Sequence, residues 1–242
     1  MIPHRNISLV ANRLAKEGGR RIQESVLERD YCLAWFLCAL AASSLKPALV
    51  FKGGTALKRC YFGDYRFSED LDFTLVERVS FEELVKRLAQ IYTALREASG
   101  ILFTFDREDQ KHDNCYTFYL RYVGPLPGGN SVKVDVTLRE RLVYPLREQP
   151  ILRGYDEFTD LPNDRRVLVY SLEEIATEKT MALADRARNE PRDLYDLWHL
   201  TLHGIDLGTL ADAMRLKLEF RGKPFQGIAD AIRNKEARLK AL

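Results

Sequence analysis

Two aspartates one residue apart, Asp70 and Asp72, stand in the apolar stretch EDLDFTLV. On a strand, side chains at i and i+2 leave the same face, so both carboxylates point one way while Leu71 and Phe73 point the other. In an extended chain their Cα atoms lie about 7 Å apart, a separation at which two carboxylates can bracket one or two divalent cations. Left bare, the pair repels and one pKa rises; a bound cation removes that penalty. Oxygen-only ligation suits Mg²⁺ or Mn²⁺ better than zinc. A third acid, Asp135, lies in SVKVDVTLR on the face opposite Val132, Val134, Val136 and Leu138. If that strand neighbours the first, three acids converge and can hold two ions about 4 Å apart for an in-line phosphoryl displacement. The competing reading is that DLD and VDV are solvent-facing acids on half-exposed strands, since D-x-D alone is a weak pattern.

Upstream, ALVF at 48–51 reads as a short buried strand running into Lys52-Gly53-Gly54-Thr55. The glycines let backbone approach a ligand closely, and the N–H groups that open the following helix can meet a triphosphate, with the Thr55 hydroxyl as a further donor. Lone glycine pairs are usually structural turns. A strand, GG[ST], a helix and then D-x-D on the next strand form a much more specific arrangement, and it favours the metal reading of the acids.

A second informative stretch is SLEEIATEKTMALADRARNEPRDLYDLWHL. Ser171 and Glu174 form a capping box, and Leu172, Ile175, Ala176, Ala182 and Leu183 fall on one helical face. Lys179 and Arg186 fall in the middle of that face, while Glu173, Glu174, Glu178 and Asp185 lie elsewhere. Two readings stand. The long stems pack while their heads reach water, or the helix faces a cleft in which its cations meet phosphates or the metal-binding acids. On either reading Lys179→Met is expected to hold or raise stability. His199 and His203 are one turn apart with no third ligand in view, so they read as packing or surface residues, as do His4 and His112. Near the C-terminus Arg215, Lys217, Arg221, Lys223, Arg233, Lys235, Arg238 and Lys240 meet only Glu219, Asp230 and Glu236. This is either a solvated face or a surface for an RNA backbone.

Helical periodicity from about 20 to 44, closed by Lys46-Pro47, precedes the first strand. A short helix over 55–61 and a strand near 70–76 follow. Ser80 and Glu83 then cap an amphipathic helix to about Ala98 with Leu84, Leu88, Ile91 and Leu95 as its stripe. Strands are expected at 101–106, 115–123 and 131–139, and helices at 171–188, 191–203, 206–220 and 226–240. The chain therefore divides into an α/β part, 1–165, and a helical part, 166–242, which together are expected to form the active-site cleft. At 242 residues there is length for one sizeable core, and 30% charged residues with a net charge of +2 leave any nucleic-acid affinity to local patches. Cys32, Cys38, Cys60 and Cys115 form no C-x-x-C pair and read as reduced core residues. The opening MIPHRNISLV lacks an export signal, and the longest apolar run, Tyr31 to Ala42, is too short to span a bilayer, so a cytoplasmic protein without a membrane partner is expected.

KGGTALKRCYFGDYRFSEDLDF resembles the signature of the AbiEii/AbiGii-type nucleotidyltransferase toxin family, a branch of the DNA polymerase β-like superfamily. The resemblance implies an α+β polymerase β-like core, a mixed sheet flanked by helices, with a C-terminal helical part. It implies that Lys52, Gly53, Gly54, Thr55 and Ser68 meet the nucleotide and that Asp70, Asp72 and Asp135 hold the Mg²⁺ or Mn²⁺ ions. The later motif E-x-x-x-x-K followed by R-D-x-x-D gives Lys179 a nucleotide-contacting role and Asp193 a catalytic one, with Asp196 one turn on as the alternative. FGDYR lengthens the stretch between Thr55 and Asp70, and Thr55 stands where Ser is more usual. The activity implied is transfer of a nucleoside monophosphate from an NTP to an acceptor hydroxyl, with RNA, the tRNA end in particular, as acceptor and a cognate antitoxin as partner. Two rivals keep the same residues: a kinase-like transfer of the γ-phosphate to protein, and a binding module whose pocket is a relic.

Overall fold

The computed structural model describes residues 1–18, 21–112, 114–185, 190–225, 230 and 232–233. The chain forms two compact units, one of Met1–Arg139 with Glu148–Val169, the other of Glu140–Arg147 with Tyr170–Leu242. Among the described residues no helix is long and apolar enough to cross a membrane.

The first unit is built on a seven-stranded mixed sheet. Its strands are β1 (Leu49–Lys52), β2 (Leu71–Leu75), β3 (Leu102–His112), β4 (Cys115–Val123), β5 (Asn130–Thr137), β6 (Arg147–Pro150) and β7 (Arg166–Val169), in the order β3-β4-β5-β2-β1-β7-β6. β2 runs parallel to β5 and β1 parallel to β7, while β1/β2, β3/β4 and β4/β5 are antiparallel. Period-two alternation divides the residues between faces: Leu71 and Phe73 with Val132, Val134 and Val136 are buried, while Asp72, Lys133 and Asp135 are half-buried on the other side.

Among the described residues the long helices of this unit are three. α1 (His4–Gly18) buries Ile7, Val10 and Ala11, an i, i+3, i+4 stripe, and Arg13 and Asn6 tie it to Glu157. α2 (Glu24–Ala41) is buried nearly all round, which is why its sequence reads as a continuous apolar run. α4 (Phe81–Ser99) starts at Ser80, whose hydroxyl accepts the Glu83 N–H, and ends at Gly100 with φ 77°. Its expected stripe, Leu84, Leu88, Ile91 and Leu95, is buried. Phe36 of α2 and Tyr92 of α4 both meet Phe103 of β3, and Phe81 meets Phe105 and Phe118. Full burial of an apolar side chain such as Phe36 or Phe118 contributes about 1.5–3 kcal/mol.

The helical unit contains α5 (Leu172–Ala184), α6 (Pro191–Leu202), a 3₁₀ turn at Leu207–Leu210 and α7 (Ala211–Phe220). Its centre is polar. Lys217 is fully buried, with Nζ 2.7 Å from Glu174, 3.0 Å from Glu140 and 3.3 Å from Glu178. Glu174 also accepts the N–H groups of Val143 and Tyr144 at 3.1 and 2.9 Å, which fastens the segment 140–147 to α5. Arg221 joins the cluster through Glu140 and Glu178. Burial disfavours the Lys217 ammonium, but the three glutamates outweigh it and its pKa is raised. One sequence expectation is corrected here: Lys217 is enclosed and neutralised within the unit and so is not part of a basic surface, and Arg221 is ion-paired to Glu140 and Glu178. The expected helix over 226–240 and the Arg186 position lie outside the described residues, apart from 230 and 232–233.

Candidate active site

The sheet register gathers the expected residues of the first unit. Lys52 of β1 lies opposite Asp72 of β2, Asp72 beside Asp135 of β5, and Asp135 opposite Thr117 of β4. Residues paired across strands share a face, so these four side chains form one polar row over four strands. The condition set for Asp135 is met: its strand is the direct neighbour of β2. Asp70 precedes β2 by one residue and falls two positions from Asp72, on the same side.

At the end of β1 the chain turns sharply into α3 (Gly53–Ala56), which continues as a π-turn over Leu57–Tyr61. Gly53 has φ +79°, and a Cβ there would fall 2.3 Å from Asp72 Oδ2. Only glycine can therefore carry this turn with the Asp72 carboxylate resting on the backbone. A Cβ on Gly54 would fall 2.8 Å from Arg66 Nη2 and 3.0 Å from Ser68 Oγ, which places the Ser68 hydroxyl over the glycine pair. Thr55 is fully buried and its hydroxyl donates to the Asp70 carbonyl at 2.6 Å, so it fastens the helix start to the base of β2. Lys52 Nζ donates to Thr137 Oγ1 at 3.0 Å.

Asp135 is engaged on both oxygens. Oδ1 accepts Thr117 Oγ1 at 2.6 Å and Oδ2 meets Lys133 Nζ at 2.8 Å. Partial burial works against the Lys133 ammonium, yet its hydrogen bond to Asp135 and the nearby charges, Asp70 included, raise its pKa. Sequence reasoning passed over Lys133 and Thr117. Lys133 was within reach of the rule that paired Asp70 with Asp72, because it stands two residues before Asp135 on the same strand.

By donor type, the carboxylate oxygens of Asp70 and Asp72 fit a hard divalent cation, and Gly53 leaves no side chain beside Asp72. Among the described residues no three His, Cys, Asp or Glu side chains converge on a point where one ion would touch all of them. The fit is thus that of a two-carboxylate site, with Asp135 alongside and turned toward its own partners.

In the helical unit, Lys179 Nζ lies 2.7 Å from Asp193 Oδ1 and 2.8 Å from Asp196 Oδ2. The Lys179 head is therefore held between α5 and α6 rather than carried to water, and both acids of R-D-x-x-D share it. Among the other sequence candidates, the His199 and His203 rings lie with centroids 4.3 Å apart and planes tilted by 31°, and burial together with the His203 charge lowers the His199 pKa. His4 pairs with Glu24 at 2.8 Å.

A glycine turn pressed against a carboxylate strand, in a mixed sheet covered by helices, is the framework of a nucleotidyltransferase. Among solved structures the fold is similar to that of MenT4, a nucleotidyltransferase toxin from Mycobacterium tuberculosis H37Rv, with a TM-score of 0.63 and 23% identity, covering 87% of this chain and 69% of that one. The family described as nucleotidyl transferase AbiEii toxin, Type IV TA system, matches residues 35–241, and the chain belongs to that family. It is a nucleotidyltransferase toxin of a toxin–antitoxin system. No curated protein matches the chain.

Proposed function

We propose that this toxin is a metal-dependent enzyme that transfers a nucleoside monophosphate from an NTP to a hydroxyl of RNA, the tRNA 3′ end being the acceptor, in the cytoplasm where both substrates occur. The observation that carries this reading is the row Lys52–Asp72–Asp135 with Gly53 packed on the Asp72 carboxylate. Gly53 and Gly54 present backbone to the phosphates, Ser68 adds its hydroxyl, and Lys52 supplies positive charge beside them. Asp70 and Asp72 would hold Mg²⁺ or Mn²⁺, with Asp135 next to Asp72. The bound ion would stabilise charge developing on the phosphoryl oxygens and ease deprotonation of the attacking hydroxyl. The acceptor oxygen forms a bond to the α-phosphorus, the bond from that phosphorus to the bridging oxygen of the β-phosphate breaks, and pyrophosphate leaves. In the helical unit Lys179, held by Asp193 and Asp196, would be the residue that contacts nucleotide. Buried ion pairs are often no more stabilising than apolar residues in their place, which favours a functional reason for this trio.

The family assignment favours nucleotidyl transfer over transfer of the γ-phosphate, and label position tests it. Purified protein incubated with each NTP, Mg²⁺ and total RNA is expected to move label from α-³²P nucleotide into RNA. Label moving only from γ-³²P nucleotide, or into protein, would replace this reading with the kinase-like one.

A further inference from the structure

The edge strand β3 does not keep its alternation. Phe103 and Phe105 share the core face with Phe118 and Tyr122 of β4. Unbroken alternation would send Arg107 to that same face. Instead the register slips between Phe105 and Arg107, with Asp106 as the extra residue, and Arg107 stands opposite Tyr119. The bulge therefore re-aims Arg107 to the other side of the sheet. Tyr119 lies two residues beyond Thr117 and opposite Lys133 of β5, so this is the face that carries Asp135 and Asp72. Asp70 and Tyr119 are both close enough to act on the Lys133 ammonium, which joins the acids to the ring.

The Arg107 guanidinium carbon lies 4.0 Å from the centre of the Tyr119 ring, and the Arg107 side chain is 58% exposed. Its Nη1 donates to Asp106 Oδ2 at 2.9 Å. Guanidinium N–H groups point along the plane, so this bond fixes the group without covering its faces. Exposed Arg121, opposite Ser131, shares the side of Tyr119, whereas Glu108 stands opposite Phe118 and belongs to the core side.

Strand order decides what such a stack meets. β1, with the Gly53–Gly54 turn at its end, lies on one side of β2 and β5, and β4 and β3 lie on the other. Attacking and leaving oxygens are in line in the proposed displacement, so with pyrophosphate at the glycine turn the acceptor approaches from the β4 side. We propose that Arg107 on Tyr119 is a stacking platform for an unpaired base near the acceptor end of single-stranded RNA, with Arg121 beside it for the phosphates. Arginine planes and aromatic rings both stack splayed-out bases. From strand spacing, the Cα atoms of Tyr119 and Asp72 are about 12 Å apart, so the stacked base belongs to a nucleotide behind the one whose hydroxyl attacks. The inference rests on reading the acids and the glycine turn as the NTP site.

The test is binding of the full, NTP-free chain to a short single-stranded RNA with a free 3′ hydroxyl and a fluorescent aminopurine among its last bases. Stacking quenches that base, and titration gives the affinity. Arg107→Ala and Tyr119→Leu are expected to lose the quench and weaken binding roughly five- to a hundredfold, the scale of one lost base stack. Tyr119→Phe is expected to keep both. Arg107→Lys keeps the charge and loses the plane, so it is expected to lose the quench. NTP affinity in calorimetry is expected to be unchanged in all four. Should Tyr119→Leu fail to fold, the exposed Arg107 position carries the test. A wild type that does not bind the RNA, or quench and affinity retained in Arg107→Ala, overturns the proposal. So does a wild-type quench in Arg107→Lys, which would leave charge alone, or a loss of NTP affinity, which would make the stack a seat for the base of the NTP. Transfer of α label to RNA by a wild type whose Arg107→Ala variant binds RNA equally well sinks the platform alone. A quench that depends on Arg107 in a protein that labels no RNA sinks the proposed reaction and leaves the platform as assigned.

Discussion

Replacing Lys179 by methionine sets the sequence and the structure against each other, because they predict opposite signs for stability. Read on a helical wheel, a lysine on an apolar stripe gives way to methionine at no cost. In the structure the ammonium lies 2.7 Å from Asp193 and 2.8 Å from Asp196, and the three side chains are 13%, 3% and 0% exposed. Methionine fills the volume of the stem and leaves two buried carboxylates facing each other with no cation. Removing one partner of a buried ion pair costs about 3–5 kcal/mol, because the charge left behind has lost its water and its partner. For a chain of this size about 2–4 °C of melting temperature is lost per kcal/mol, so a fall of roughly 6–20 °C is expected. Urea denaturation of wild type and variant measures the loss, and Lys179→Met combined with Asp193→Asn and Asp196→Asn is expected to recover most of it by removing the stranded charges. Nucleotide transfer is expected to stay about 10²–10³ below wild type in both variants, the scale of losing one electrostatic contact made in the transition state. A Lys179→Met protein that unfolds at the wild-type urea concentration with an unchanged slope would refute the reasoning from burial. Wild-type transfer by the folded triple variant would remove Lys179 from the reaction.

Asp70→Asn and Asp72→Asn are each expected to lower transfer by more than about a hundredfold while the far-ultraviolet circular dichroism is unchanged, since both side chains are half-buried and face away from the core; activity near wild type in either variant would count against the two-carboxylate site. Gly54→Val places atoms where Arg66 Nη2 and Ser68 Oγ now lie and is expected to abolish NTP binding in calorimetry, whereas retained affinity in a folded protein would make the glycine pair a turn and nothing more. Burial pushes the Cys38 and Cys60 thiols up to about 12 and Cys32 well above the ordinary range, so at pH 8 the folded chain is expected to react with a thiol reagent at Cys115 alone. Rapid labelling of Cys32 or Cys38 would show that the core around α2 opens, and of Cys60 that the π-turn does.

Much of the site was legible because strand geometry is periodic and short-ranged. Asp70 and Asp72 could be placed on a common face, and Asp135 on the polar face of its own strand, from spacing alone, and the glycine pair could be placed at a strand end from its neighbours. The pairing of β2 with β5, which makes that placement a site, depends on contacts between residues more than 60 positions apart and could only be stated as a condition. α1 was not assigned, because a single buried stripe of Ile7, Val10 and Ala11 within fifteen residues is a weak signal and no acid marks its first turn. β6 and β7 are four residues each, shorter than any window in which alternation can be recognised, and they lie in a stretch rich in charge and proline. The helical unit misled for a different reason. Lys217 was read with the basic residues of a surface, whereas it is enclosed by Glu140, Glu174 and Glu178, and Lys179 stood out on its apolar stripe but its partners Asp193 and Asp196 did not, because nothing in a helical wheel shows partners on another helix.

The two clusters place charge in different physical settings, and this bears on which of them can do chemistry. Lys217 is enclosed, surrounded by three glutamates and Arg221, so the formal charge of that group is one negative, spread over interactions that all lie inside the unit. Removing any member strands the others, and the cluster acts as a fastening for the segment 140–147. The sheet face is different. Asp70, Asp72, Lys133 and Asp135 are half-buried and open to ions from solvent, and the three acids outnumber the two ammonium groups, Lys133 and Lys52, on that face. A half-buried excess of negative charge has a standing affinity for cations, and the Gly53 turn brings one of those acids, Asp72, against the backbone. Such a face is costly without a counter-ion and gains from binding one, which a sealed cluster like that of Lys217 does not. The buried cluster therefore serves the fold, and the sheet face is where the proposed reaction would place metal and nucleotide.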